Sequence, residues 1–152
     1  FTMIHEVRTA LTIDAPPERV LALLTGFEDY PRWQPETRAA EVRERDEQGR
    51  PVLVSMTIGA MGLKTETTLA VEYFEGGLAW RAVPGDVFAR NDATYVIRPN
   101  AEGGTDIDCE TVVGLSWHGL PLPMVKRMMT KNVNDSLKAI KAMAETPNSN
   151  AD

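Results

Sequence analysis

A single cysteine, Cys109, in 152 residues leaves no intramolecular disulfide to form, which suits a reducing compartment. Histidine is almost as scarce. His5 and His118 stand far apart, and one thiol with two scattered imidazoles does not supply a zinc site. Neither histidine has a carboxylate at a spacing that would fix its tautomer, so both read as solvent-exposed rather than catalytic. Neither GxGxxG nor GxxxxGK[ST] occurs, which removes the phosphate-cradling loops of nucleotide cofactors. No cofactor is expected. No uncharged apolar run reaches about 18 residues, so no membrane-spanning helix is expected. The formal net charge of −6 leaves no surplus of Lys and Arg to neutralise phosphates, which argues against nucleic acid as a partner. Met3 reads as the native start, and no charged segment followed by an apolar one resembles a secretory leader. A cytoplasmic protein is the expectation, as a monomer or a homodimer.

What the chain does have is alternation and turns. Residues 4–13 read as a strand, with Val7, Leu11 and Ile13 on one face. Asp14-Ala-Pro-Pro17 stops it and opens a short helix over Glu18–Leu24, whose first turn tolerates proline. Gly26 is expected to end that helix in a left-handed conformation. A brief helical turn over Phe27–Tyr30 follows, and Pro31 is expected to force an extended chain. Six strands come next: Arg38–Arg45, Pro51–Ile58, Lys64–Phe74, Leu78–Val83, Phe88–Arg98 and Thr105–Gly114. Turn signals separate them, among them Asp46-Glu-Gln-Gly49, Glu75-Gly-Gly77 and Asn100 to Gly104. The result is an antiparallel meander.

From Met124 to about Ala144 the period changes. Val125, Met129, Val133, Leu137, Ile140 and Ala144 recur at three- and four-residue steps and form one apolar stripe. Lys126, Arg127, Lys131, Lys138 and Lys141 lie around the rest of the helix. They read as a solvated surface, with transient contact with an anionic membrane as the alternative. Residues 4–144 are expected to form one domain, and 145–152 a disordered tail. Seven strands with one long helix predict an α+β fold in which a curved sheet wraps the helix.

The segment from Asp14-Ala-Pro16 through Phe27-Glu-Asp-Tyr-Pro-Arg-Trp33 carries a family resemblance. Tyr95 and Gly119-Leu-Pro-Leu-Pro123 ahead of the last helix extend it to about residues 4–144. The chain resembles the START-related superfamily of the birch pollen allergen, and within it the bacterial polyketide cyclase/dehydrase and lipid-transport group. The resemblance implies a helix-grip fold around an internal cavity for a hydrophobic small molecule: a lipid, polyketide, quinone or sterol-like compound. A carrier or sensor is one implied role. A polyketide cyclase/aromatase or dehydratase using the same cavity is the other.

Alternation nominates the cavity wall. Val54, Met56 and Ile58 share one face of their strand; Leu69 and Val71 share one face of the next. Trp80 follows, then Tyr95 with Ile97, then Cys109, while the helix contributes Met128 or Met129 and Val133. Trp33 is placed at the mouth or over the rim. Each of these residues taken singly reads first as a core residue, whose burial stabilises the fold by about 1.5–3 kcal/mol. As a set they mix small and adaptable side chains with two aromatics, the usual lining of a small-molecule site. Tyr95 and Trp80 add polar handles. Catalysis lacks a clearly placed group. Arg90 and Asp92 share one side of their strand and would need a bulge to reach the interior.

Overall fold

In the computed structural model, the described residues are 3–60, 63–83, 88–115 and 121–146. The elements run β1 (Met3–Ile13), α1 (Pro17–Thr25), a 3-10 turn (Phe27–Asp29), α2 (Tyr30–Trp33), β2 (Thr37–Arg45) and β3 (Pro51–Ala60). They continue with β4 (Leu63–Phe74), β5 (Gly77–Val83), β6 (Phe88–Pro99), β7 (Thr105–Leu115) and α3 (Leu122–Glu145). The seven strands form one antiparallel sheet in the order β1-β7-β6-β5-β4-β3-β2. The meander is therefore sequential except for β1, which crosses to pair with β7 along its whole length, from Met3 opposite Leu115 to Ile13 opposite Thr105. This is the α+β helix-grip architecture, with α3 against the concave face of the sheet.

The turns follow from their glycines. Gly49, Gly76 and Gly103 have φ of 83°, 90° and 83°, a region that costs a residue with a Cβ but not glycine. Gly77 is constrained differently, because a Cβ there would overlap the Tyr95 carbonyl oxygen. The edge strand β2 carries three register irregularities against β3 and exposes Arg and Glu side chains, which discourages pairing with another chain.

Two expectations for the first helices are corrected. Pro31 does not force an extended chain; it occupies the first turn of α2, where its missing N–H leaves no carbonyl unpaired. Extension begins at Gln34, with ψ 124°. Gly26 does end α1, but at φ −82° and ψ 61° rather than in the left-handed region. A bond from its N–H to the Ala22 carbonyl closes the turn there.

One end of the molecule is closely packed. Ile13, Val20, Leu24, Phe27, Ile107 and Ile140 are fully or almost fully buried where α1, the end of β1 and the C-terminal half of α3 meet. The same end is tied by polar contacts. Arg19 of α1 donates to the carbonyls of Ala144 (2.6 Å), Met143 (3.2 Å) and Thr146 (2.7 Å). A guanidinium there satisfies carbonyls that α3 leaves without partners and opposes the negative end of its dipole. Lys141 Nζ donates to the Thr12 carbonyl at 2.8 Å, and the Asp14 N–H donates to Glu145 at 2.8 Å. Of the expected tail, 145–152, Glu145 still belongs to α3 and Thr146 caps it, while 147–152 lie outside the described residues.

Candidate ligand pocket

Strand pleating sets which side chains face α3. Across the register, Val7, Thr111, Ala93, Trp80 and Val71 form one inward row, and Thr9, Cys109, Tyr95 and Leu78 the next. Val54 stands beside Leu69, and Met56 beside Thr67. Val54, Met56, Leu69, Val71, Tyr95, Ile97 and Cys109 are buried, and Trp33, Ile58, Trp80 and Val133 are partly buried against the same cluster. On α3, Met129 is buried and Met128, towards the edge of the stripe, is partly exposed.

Burial along this interior is uneven. Val133 lies near the middle of the apolar stripe, between buried Met129 and buried Leu137, yet it keeps part of its surface accessible. Trp80, Ala82 and Ile58, on the facing strands, do the same. These are inward positions that the sheet and α3 cover incompletely, since close packing would leave them no accessible surface. Aromatic rings pack around Trp80. Phe27 and Trp80 meet edge to face at 5.7 Å, Trp80 and Tyr95 lie 5.2 Å apart, and Tyr30 bridges Phe27 (5.1 Å) to Trp33 (5.0 Å). Tyr30 is held by a 2.6 Å bond from its hydroxyl to the Leu24 carbonyl. A separate groove of about 600 Å³ opens to solvent between α1 and the β4–β5 turn, bordered by Leu21, Tyr73, Phe74 and Ile97.

The polar chemistry of the interior is sparse and neutral. Tyr95 stands opposite Cys109 across the β6–β7 pair, and the Cys109 sulfur lies 3.6 Å from Thr111 Oγ1. Burial raises the pKa of the Tyr95 phenol well above its ordinary value and pushes the Cys109 thiol up as well. Neither ionises near neutral pH, so neither is an activated nucleophile or base. The described inward side chains of the sheet carry no charge. Among the described residues no cluster of three or more His, Cys, Asp or Glu forms a metal site.

One sequence-level reading changes here. His5 is not a free surface imidazole: its Nε2 lies 3.0 Å from Thr130 Oγ1 on α3, partly buried. The β6 irregularity falls between Phe88 and Arg90, ahead of Asp92, which pairs with Val112 on the face opposite Ala93 and Tyr95. No bulge turns Asp92 inward. Trp117 and His118 lie outside the described residues, as does the Arg90 side chain. Alternation also passed over a polar group at the gap between β2 and α3. Gln34 is buried and donates to Ser136 Oγ at 2.7 Å, and half-buried Glu36 faces the Lys131–Asp135 ion pair (2.7 Å). Burial, then the Asp135 charge, push the Glu36 carboxyl up to about 7, against the opposing pull of Lys131. Nothing in the alternation of β2 marks it.

A curved sheet gripping a long helix over an apolar, partly accessible interior defines a START-like fold, the class that serves hydrophobic-ligand binding and polyketide cyclisation. The sequence model of the polyketide cyclase / dehydrase and lipid transport family matches residues 5–145, and the chain belongs to that family. Among solved structures, a START superfamily protein from Mycobacterium smegmatis is 25% identical, with a TM-score of 0.83, covering 93% of this chain and 97% of that one. TTHA0849 from Thermus thermophilus is 27% identical, with a TM-score of 0.71 over 91% and 96% of the two chains. The Zhui aromatase/cyclase from Streptomyces sp. R1128 shares the fold at 15% identity, with a TM-score of 0.74 and 94% of each chain covered. No curated protein matches the sequence. No described helix is long and apolar enough to cross a membrane.

Proposed function

We propose that this protein binds a hydrophobic small molecule between the sheet and α3 and acts as a carrier or sensor without catalysing a reaction. The observation that carries this reading is the accessible surface left on Trp80, Ala82, Ile58 and Val133, which pack against the buried cluster between the sheet and α3. Binding energy would come from apolar burial, at about 25 cal/mol per Å² removed from water, with Trp80 and Tyr95 shaping the wall. The buried, un-ionised Cys109 fits a reducing cytoplasm. Native mass spectrometry after mild purification tests the reading: a co-purifying apolar molecule, lost in Trp80→Ala and kept in Phe74→Ala, assigns the interior rather than the outer groove. Retention in Trp80→Ala together with loss in Phe74→Ala would overturn it.

A second reading, a polyketide cyclase or dehydratase, is favoured by Glu36, because a carboxyl titrating near 7 suits acid–base work. It predicts turnover of a poly-ketone surrogate that Glu36→Gln abolishes. The interior itself supplies no second titratable partner among its described residues.

A further inference from the structure

Thr67 is the one inward hydroxyl of the described sheet whose environment calls for a ligand. It sits on β4 opposite Met56, next to Leu69, on the face turned to α3, and only 7% of its surface is accessible. Its hydroxyl makes no side-chain hydrogen bond with any described residue. The other buried hydroxyls are engaged: Thr105 Oγ1 donates to the Ala15 carbonyl at 2.7 Å, Tyr30 to Leu24, and Thr111 faces the Cys109 sulfur. Leaving a buried hydroxyl unpaired is unfavourable, and valine would fill the same volume without that penalty. Ile58, one step further along β3 than the buried Met56 that faces Thr67, keeps part of its surface accessible. The hydroxyl therefore lies on the face turned to α3, beside that accessible position.

Resting on the reading that the ligand binds between the sheet and α3, we infer that Thr67 is the polar anchor of that site and that the ligand class is an uncharged apolar molecule bearing a hydroxyl or ketone. A threonine hydroxyl both donates and accepts, so either group completes it. An ionised carboxylate finds no counter-charge on the described inner face, and burying it unpaired is costly. Glu36 and Asp135, beside the gap between β2 and α3, add like-charge repulsion.

Naphthalene, 2-naphthol and 2-naphthoate, titrated calorimetrically into the full chain at neutral pH, present one apolar body with no polar group, a hydroxyl or a carboxylate. The wild type should bind 2-naphthol roughly three- to tenfold more tightly than naphthalene, and 2-naphthoate most weakly. Thr67→Val should erase the preference for 2-naphthol, leave naphthalene affinity unchanged, and leave the melting temperature of the unliganded protein the same or higher. Thr67→Ser should keep the preference. A preference that survives in Thr67→Val, or 2-naphthoate binding as tightly as 2-naphthol, would overturn the inference. Naphthalene binding with no preference for 2-naphthol overturns the anchor and leaves the interior site standing; failure of all three probes to bind overturns both.

Discussion

Glu36 offers a stability test with a distinctive pH signature. Its carboxyl is carried from the ordinary 4.5 to about 7, first by burial and then by the Asp135 charge. A raised acid means that the folded state holds its proton more tightly than the unfolded chain does. The associated stabilisation is fully present below about pH 4.5 and is lost as pH rises through about 7. Full burial would make the loss ~3.4 kcal/mol at 1.36 kcal/mol per pH unit. Glu36 is only half-buried, and solvent screening reduces this to about 1–2 kcal/mol. Glu36→Gln fixes the neutral form. The variant should match the wild type at pH 4.5 and exceed it by about 1–2 kcal/mol at pH 8, which in a chain of this size is a rise of about 2–8 °C in melting temperature.

Urea unfolding at pH 5, 6, 7 and 8 measures the difference, provided the slope m is the same for both proteins. All other carboxylates are common to the pair, so the pH dependence of the difference isolates this one group. Asp135→Asn supplies an independent check, because removing the second charge should bring the Glu36 titration down towards its ordinary range when followed by carboxyl NMR. A difference that does not change with pH, or a wild type more stable than Glu36→Gln at pH 8, would refute the reasoning.

Gly77→Ala should lower stability by about 2–4 kcal/mol by denaturant titration, since the added Cβ meets the backbone oxygen of Tyr95, which cannot swing aside. Gly49→Ala, with open space around it and only its positive φ to strain, should cost about 1 kcal/mol; equal losses at both glycines would contradict the steric argument. Arg19→Met should cost about 1.5–3 kcal/mol, because three bonds to carbonyls at the end of α3 are lost, and hydrogen exchange should rise in the last turn of α3. Cys109 should resist a water-soluble disulfide reagent in the native protein and react promptly once unfolded, since burial both shields the thiol and suppresses its ionisation; rapid native-state labelling would mean the interior is open to bulk solvent.

The run of elements and the inward set were legible because the two signals behind them are local, whereas the pairing of β1 with β7 was not. Alternation at Val54-Met56-Ile58 and Leu69-Val71-Tyr73 records which face each side chain takes, and the glycines at 49, 76 and 103 record where the chain reverses. The stripe on α3 is equally local. What escaped depends on partners distant in sequence. His5 is tied to Thr130 and Gln34 to Ser136 across more than 100 residues, and no spacing rule connects them. Glu36 reads as an ordinary charged residue until Asp135 is brought alongside. Thr67 escaped for another reason: Thr65-Glu-Thr-Thr68 looks polar throughout, although Thr67 continues the inward face of Leu69 and Val71. Pro31 misled because a proline that ends one helix is indistinguishable in sequence from one that begins another.

The two halves of α3 are held by different contacts. Its C-terminal half is fixed by Arg19, by Lys141 on the Thr12 carbonyl, by Glu145 on the Asp14 N–H, by Ser136 to Gln34 ahead of β2 and by the fully buried Ile140. Its N-terminal half is tied through Thr130 to His5 of β1 and buries Val125 and Met129. Val133, where the halves meet, is the residue of the apolar stripe that keeps part of its surface accessible. A ligand passing between β2 and α3 to reach that position would strain the Gln34–Ser136 bond. Gln34→Ala should therefore speed both association and release of 2-naphthol in stopped-flow measurements, with the equilibrium affinity changed less than either rate; unchanged rates would mean the ligand enters elsewhere.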